Sequence, residues 1–381
     1  MIYLDYSATT PVREEVLDTF VKVSKDFIGN PNSLHKLGVE SKKIIDAATE
    51  QIKNILNIDH EVIYTSGASE SNNTVLKGIA SRYKNRGNHI ITTNFEHSSI
   101  VAPLNYLQKQ GFKVDFAPLT DEGLVDVKAL KAMITKETIL VSIGAVNSEI
   151  GIKQPIEEVA LMLKEIPNTI FHVDATQAIG KINLDLSNID LISMSAHKIY
   201  GVKGIGLLLK KSNIELDPLI HGGKSTTKYR SGTPATALIA SLAKALRLMY
   251  EDFDKKYEYV KKLNDYLVSK LKKVEGIEIN NNSHTIPHIL NISILGIKPE
   301  TFQHALEEKD IYISTQTACA SGSGISTSVL AFTHSEARAS SSVRISLSYL
   351  TTKEEIDETV KAIIECKERL SLKWKILQQK I

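Results

Sequence analysis

Between residues 61 and 209, short β-branched runs alternate with amphipathic stretches, and this alternation restricts the fold more than any other feature. The runs are Val62-Ile63-Tyr64, His89-Ile90-Ile91, Val114-Asp115-Phe116, Ile139-Leu140-Val141-Ser142, Ile170-Phe171-His172-Val173, Leu191-Ile192-Ser193 and Ile205-Gly206-Leu207-Leu208-Leu209. Segments between them, such as 69–83 and 156–164, carry helical spacing. Strand and helix in strict succession predict an α/β fold: a mostly parallel sheet of the seven-stranded type, with helices on both faces. After Ser231 the texture changes. A helical tract is expected over about 235–273, a strand at Ile289-Leu290-Asn291-Ile292-Ser293, a helix over 300–309, a strand over 342–348 and a closing helix over 353–373. This second pattern reads as a smaller α+β domain. The expected division is an N-terminal segment over 1–15, a large domain over 16–250 and a small C-terminal domain over 251–381. Residues 14–55 read as helical, and no fixed-period repeat points to a solenoid.

At 381 residues the chain is longer than one hydrophobic core ordinarily serves. Lysine and arginine number 46 against 44 acids, a net charge of +2, which gives no ground for nucleic-acid or membrane partners. The opening Met1-Ile2-Tyr3-Leu4-Asp5-Tyr6 lacks the basic and apolar stretches of a secretory signal. Two cysteines, Cys319 and Cys366, neither staple a chain of this size nor make a thiolate zinc site, so no metal and a reducing cytoplasm are expected. The segment 318–327 is small and polar with Cys319 near its start. That composition marks a surface loop able to carry a travelling thiol.

Four places bear chemistry. In Ser195-Ala196-His197-Lys198-Ile199-Tyr200-Gly201, a lysine follows a buried strand and faces the crevice where parallel sheets bind ligands. Desolvation there lowers an amine's pKa, so the neutral nitrogen can condense with an aldehyde. The plainer reading is a surface lysine on a loop, and Ser195 and His197 tip the balance because they offer donors to a phosphate. Asp174 ends the run before Ala175-Thr176-Gln177; it suits a partner for a protonated pyridine nitrogen, or equally a cap for the next helix. Thr65-Ser66-Gly67-Ala68-Ser69-Glu70-Ser71-Asn72 joins a strand to a helix and offers backbone N–H groups to an anion, or to a simple capping box. His97 either stacks on a ring and relays a proton or is structural.

The order of these pieces, closed by a late arginine, resembles the fold-type I pyridoxal-phosphate enzymes of aminotransferase class V. Within that class the closest resemblance is to the group I (NifS/IscS-type) cysteine desulfurases, and it runs over nearly the whole chain. It is carried by Tyr3-Leu4-Asp5-Tyr6-Ser7-Ala8-Thr9-Thr10-Pro11, Gly29-Asn30-Pro31-Asn32-Ser33-Leu34-His35, Asn147-Ser148-Glu149-Ile150-Gly151, Arg230-Ser231-Gly232-Thr233, the Ala318-Cys319 pair and Ser342-Val343-Arg344-Ile345-Ser346-Leu347. The resemblance implies pyridoxal 5'-phosphate carried on Lys198, which also shuttles the Cα proton. It implies Asp174 on the pyridine nitrogen, Gln177 on the ring hydroxyl and His97 stacked on the ring. The phosphate would lie among Ala68, Ser69, Ser195 and His197, joined by Thr233 of a second subunit in a homodimer. Asn147 and Arg344 would position L-cysteine, and Cys319 would take its sulfur as a persulfide. That sulfur would pass to an acceptor protein, an iron–sulfur scaffold or a tRNA- or thiamine-thiolation enzyme. Cys366 matches nothing in the pattern and reads as structural.

Three segments depart from the family's pattern: Gly222-Gly223-Lys224-Ser225-Thr226-Thr227-Lys228-Tyr229, Ser348-Tyr349 and Thr315-Gln316-Thr317. They bear on partner choice and rate more than on reaction type. The alternatives are a selenocysteine lyase and a non-catalytic pyridoxal-phosphate-binding paralogue serving in assembly. Joint retention of Lys198, Asp174, His97, Cys319 and Arg344 weighs against the second.

Overall fold

The computed structural model describes residues 1–315 and 324–378. In chain order its strands are β1 (Ile2–Tyr3), β2 (Glu61–Thr65), β3 (His89–Thr92), β4 (Lys113–Phe116), β5 (Thr138–Gly144), β6 (Ile170–Asp174), β7 (Leu191–Ser195), β8 (Gly206–Lys210), β9 (Ile277–Ile279), β10 (Ile289–Ile294), β11 (Ile311–Tyr312) and β12 (Ser342–Ser346). Its helices are α1 (Glu14–Asp26), α2 (Lys36–Leu56), α3 (Ala68–Tyr83), α4 (Ser98–Lys109), α5 (Val127–Met133), α6 (Ile156–Lys164), α7 (Thr236–Tyr250), α8 (Phe253–Leu271), α9 (Pro299–Glu307), α10 (Thr327–Thr333), α11 (Glu336–Ala339) and α12 (Lys353–Gln378).

Seven strands form the main sheet in the order β2-β8-β7-β6-β5-β3-β4. Only β8 runs against its neighbours, so the sheet is mostly parallel, as the alternating sequence predicts. Strands β3, β5 and β7 are buried almost throughout, the pattern of a sheet covered on both faces. One core lies on the side of α1, α2 and α7, and the second is built from α3 and α4 against the opposite face. A separate antiparallel sheet, β12-β10-β9, packs on α8, α9 and α12 around its own core.

Two helical expectations are corrected. The tract over 14–55 is broken at 27–35, where Gly29, Asn30 and Pro31 do not continue a helix, and a Cβ on Gly29 would stand 2.3 Å from the Leu37 carbonyl oxygen. The tract over 235–273 is broken between α7 and α8, where Asp252 adopts a left-handed φ of 53°. Lys256 Nζ turns back to donate to the carbonyls of Leu248 and Met249, which satisfies the end of α7.

The first ten residues connect the two parts. Strand β1 pairs in parallel with β11, Ile2 and Leu4 belong to the core of the small sheet, and Tyr6 belongs to the large core. Thr10 N–H and its hydroxyl both donate to the His197 carbonyl, at 2.9 Å each. The segment thereby pins the turn after β7.

Candidate active site

Every chemistry-bearing turn leaves the carboxyl end of a parallel strand. Lys198 follows β7, Asp174 ends β6, His97 follows β3, and the turn at Ser66 and Gly67 follows β2. This is the edge at which open α/β sheets bind ligands. The turns enclose a cavity of about 690 Å³ lined by Ala68, Ser69, His97, Asp174, Gln177, Ser195, His197, Lys198 and Arg344, together with Asp5, Ser7 and Glu96. A second cleft of equal volume, beside Lys153, Tyr257 and His284, brings together none of the residues singled out by the sequence.

Lys198 sits in a single 3-10 turn, Ala196–Lys198, and its Nζ donates to the carbonyls of Ser7 and Ala8 at 2.5 and 2.8 Å. Burial, then the nearby Arg344 guanidinium, push this amine down to about 8, against the pull of Asp5 and Asp174. His197 is pushed to about 4 by burial and by the Lys198 charge, so its ring is neutral near pH 7. Its Nδ1 meets Thr9 Oγ1 at 3.2 Å.

Helix α3 begins at Gly67, which supplies no side-chain cap, and Gly67, Ala68 and Ser69 line the cavity. Its first N–H groups therefore open toward the space, the donor set an anion requires. The closeness of the surrounding backbone defines this cradle: a Cβ on Gly206 would lie 2.6 Å from Gly67 Cα. Glu70 caps from outside, accepting from Ser66 N–H at 2.7 Å and pairing with Arg230 Nε at 3.0 Å. Anion cradle and carboxylate cap thus coexist.

Asp174 accepts from Asn72 Nδ2 at 2.8 Å and from Thr176 N–H at 3.0 Å. Gln177 Nε2 donates to the Ser7 carbonyl at 2.9 Å, and its Oε1 accepts from the buried Lys181 at 2.5 Å. Arg344, 3% exposed, donates from Nη1 to Ser148 O and from Nη2 to Asp5 Oδ1, each at 2.8 Å. Its Nε is buried with no partner. Arg344 lines the cavity, and a guanidinium with an unpaired N–H is the cation there that suits a carboxylate.

Three expected site residues stand apart. Asn147 is buried under the lining: Nδ2 donates to Phe95 O and Ser328 Oγ, and Oδ1 accepts from the N–H groups of Glu149 and Ile150. It reaches a ligand only by giving up those bonds, and its neighbour Ser148 lines the cavity instead. Thr233 is exposed and outside this cavity. Cys319 lies in 316–323, outside the described residues. The other cysteine, Cys366, is buried in the small core with its thiol donating to Ala305 O, and burial pushes its pKa up.

Sequence reasoning missed Asp5, Glu96, Asn72, Ser99 and Lys181. Each flanks a motif residue, but only the fold turns it toward the site. Glu96 is the sharpest case. Desolvation raises its carboxyl to about 7, although Thr93 Oγ1 and Gly144 N–H both donate to it.

A desolvated lysine, an acid and an uncapped helix start converging on the carboxyl edge of such a sheet define an enzyme that works through a phosphorylated aldehyde and an amine. The chain belongs to the aminotransferase class-V family, whose model matches residues 2–359. That family depends on pyridoxal phosphate, and the cradle, Asp174 and Lys198 fit its phosphate, ring nitrogen and aldehyde. The chain is 41% identical over 392 residues to the mitochondrial cysteine desulfurase of Saccharomyces cerevisiae, covering all of this chain and 78% of that one. It is 40% identical to the cysteine desulfurase IscS of Clostridium botulinum, over 98% of this chain and 96% of the other. Among solved structures, a NifS-like protein superposes with a TM-score of 0.90 at 34% identity, covering 97% of this chain and 99% of that chain.

Proposed function

We propose that this chain removes sulfur from L-cysteine, leaving L-alanine and a persulfide on Cys319. The observation that carries the reading is one cavity holding both a lysine of lowered pKa and a buried arginine with an unpaired N–H. Those are the two groups needed to process the amine end and hold the carboxylate of an amino acid. The relatives named as cysteine desulfurases support cysteine as that amino acid.

Pyridoxal phosphate, when bound, supplies an aldehyde for the amino group and a ring that takes up the electron pair released at Cα. The open N–H groups of α3, with Ser195 and His197, would hold the phosphate; Asp174 would pair with the ring nitrogen and Gln177 with the ring hydroxyl. Arg344 grips the substrate carboxylate, with Asp5 and Ser148 fixing the plane of the guanidinium. Lys198 Nζ, neutral above about pH 8, takes the Cα proton. The Cys319 thiolate then bonds to the substrate sulfur as the Cβ–S bond breaks. The electron pair of that bond stays on Cβ, which gains a proton and becomes the methyl group of alanine, and Lys198 returns a proton to Cα.

A homodimer, with Thr233 reaching the partner's phosphate site, and a protein acceptor for the persulfide sulfur complete the proposal. Among the described residues no helix is long and apolar enough to cross a membrane. A reducing cytoplasm suits a working thiol.

The test is a pair of variants. Cys319→Ser is expected to bind cysteine and change the visible spectrum, while alanine release falls to background. Cys366→Ser, a change in a buried core, is expected to turn over like the parent. Sustained alanine release by Cys319→Ser rejects the sulfur-acceptor role. Preferential turnover of selenocysteine without Cys319 favours the lyase instead.

A further inference from the structure

His97 is the N-cap of α4. Its Nδ1 accepts the backbone N–H of Ser99 at 3.2 Å and lies 2.8 Å from Ser99 Oγ. The buried amide of Asn72 holds that hydroxyl oxygen in place beside the ring. Asn72 Nδ2 lies 2.8 Å from Asp174 Oδ2 and 2.9 Å from Ser99 Oγ. A carboxylate only accepts, so the amide must show it nitrogen; turned over, Oδ1 would face the carboxylate oxygen. One Nδ2 hydrogen goes to Asp174 and the other to Ser99 Oγ. Because Nδ1 already accepts the Ser99 backbone N–H, the serine hydroxyl, whose oxygen takes the Asn72 hydrogen, turns its own hydrogen toward His97 Nδ1. That nitrogen then receives two donors and carries no proton of its own.

We propose that Asn72 is a positioning residue that acts through Ser99 to hold His97 as the Nε2–H tautomer, making its ring a hydrogen-bond donor and stacking face in the cavity rather than a proton-accepting base. Burial favours the neutral ring and so works in the same direction. With Nδ1 occupied and Nε2 protonated, the imidazole offers no free lone pair to a substrate proton. Proton transfer at Cα is left to Lys198. The same amide couples the ring to Asp174, so one side chain orients two groups that face the cofactor. The inference deepens the proposed desulfurase reading, yet its tautomer part stands on hydrogen bonds alone.

Two measurements on the cofactor-loaded protein test it. Long-range proton–nitrogen correlation on histidine-labelled protein, with His97 assigned by its loss in His97→Gln, is expected to show an unprotonated Nδ1 and a protonated Nε2 at mildly alkaline pH, where the imidazole is neutral. Asn72→Leu, of similar volume, is expected to move the Nδ1 signal. A proton on Nδ1 in the parent, or an unmoved signal in Asn72→Leu, overturns the proposal. In turnover, His97→Gln keeps a donor and is expected to retain kcat within about tenfold; loss of a proton-transferring base costs roughly a hundredfold or more, and a loss of that size overturns the donor role. If the parent fails to release alanine from cysteine, the functional reading fails while the nitrogen signals still decide the tautomer.

Discussion

Lys198 and Arg344 show how burial and charge set the behaviour of single residues. Lys198 is buried and faces a guanidinium, and both work against its ammonium form although the Ser7 and Ala8 carbonyls accept from it. Below about pH 8 the protonated nitrogen has no lone pair; above it the amine reacts. In the cofactor-free protein, acylation of Lys198 followed by peptide mass mapping is therefore expected to have its midpoint near about 8. Labelling confined to the range of ordinary lysines refutes the desolvated amine. Glu96 carries the opposite consequence for stability. Its folded carboxyl holds a proton up to about 7, while the unfolded one loses it near the ordinary carboxylate value of 4.5. Between those limits the native state binds more protons, so its stability falls as pH rises. Glu96→Gln is expected to flatten that fall, as read from unfolding midpoints at several pH values. For Arg344, Lys preserves charge but not the fork. Arg344→Lys is expected to raise KM for cysteine about 10- to 100-fold, from the loss of a charge-assisted bond worth roughly 1.5–3 kcal/mol, with cofactor absorption retained.

The contact between β8 and the turn that opens α3 is the critical one among the elements. Strand β8 is the antiparallel member of the sheet and presses Gly206 against Gly67, with Met194 O also 2.6 Å from the position a Cβ would occupy. These neighbours are backbone and cannot yield by a rotamer change. Gly206→Ala is expected to cost roughly 1–3 kcal/mol of stability and to weaken phosphate binding by widening the cradle. Calorimetry with and without pyridoxal phosphate checks both: the parent gains Tm on loading, and the variant gains less. Equal gains would place the phosphate elsewhere. The unusual Ser348-Tyr349 pair also belongs to this scale. Tyr349 packs, tilted by 52°, with its ring centre 4.9 Å from that of Tyr200, whose hydroxyl meets Ser348 Oγ, and Lys256 lies over the Tyr349 ring. In this chain the pair braces the small domain against the lysine turn. Tyr229 of the other unusual segment is buried between Lys210 and Lys228, which ties that segment to its own subunit.

For the whole molecule, the site lies where two cores meet and the first ten residues join them. Thr233, exposed and outside the lining of its own cavity, together with the exposed Ile28, Leu34 and Leu37, supports association of two copies. Light scattering is expected to give a dimer at working concentration, and Thr233→Ala to weaken cofactor retention; a fully active monomer refutes the shared site. The strand–helix alternation was legible in the sequence because burying a sheet on both faces demands near-continuous apolar strands. The turns carrying Lys198, Asp174 and His97 were legible too, because parallel strands leave their carboxyl ends at one edge. The interruptions at Gly29 and Asp252 escaped sequence reading, since close backbone approach and a left-handed φ leave little trace in a helical pattern. Asn147 illustrates the same limit: its type and motif suit a ligand contact, but the fold spends its hydrogen bonds on Phe95, Ser328 and the turn at Glu149 and Ile150. The sequence by itself determined the layered sheet and which residue types stand at its reactive edge, because periodicity and turn chemistry are local. Only the tertiary structure decided that Asp5 meets Arg344, that Ser7 meets Lys198 and that Asn72 bridges Asp174 to Ser99. Those pairings join segments far apart in the chain, and the energies that fix them arise only once water has been excluded between them.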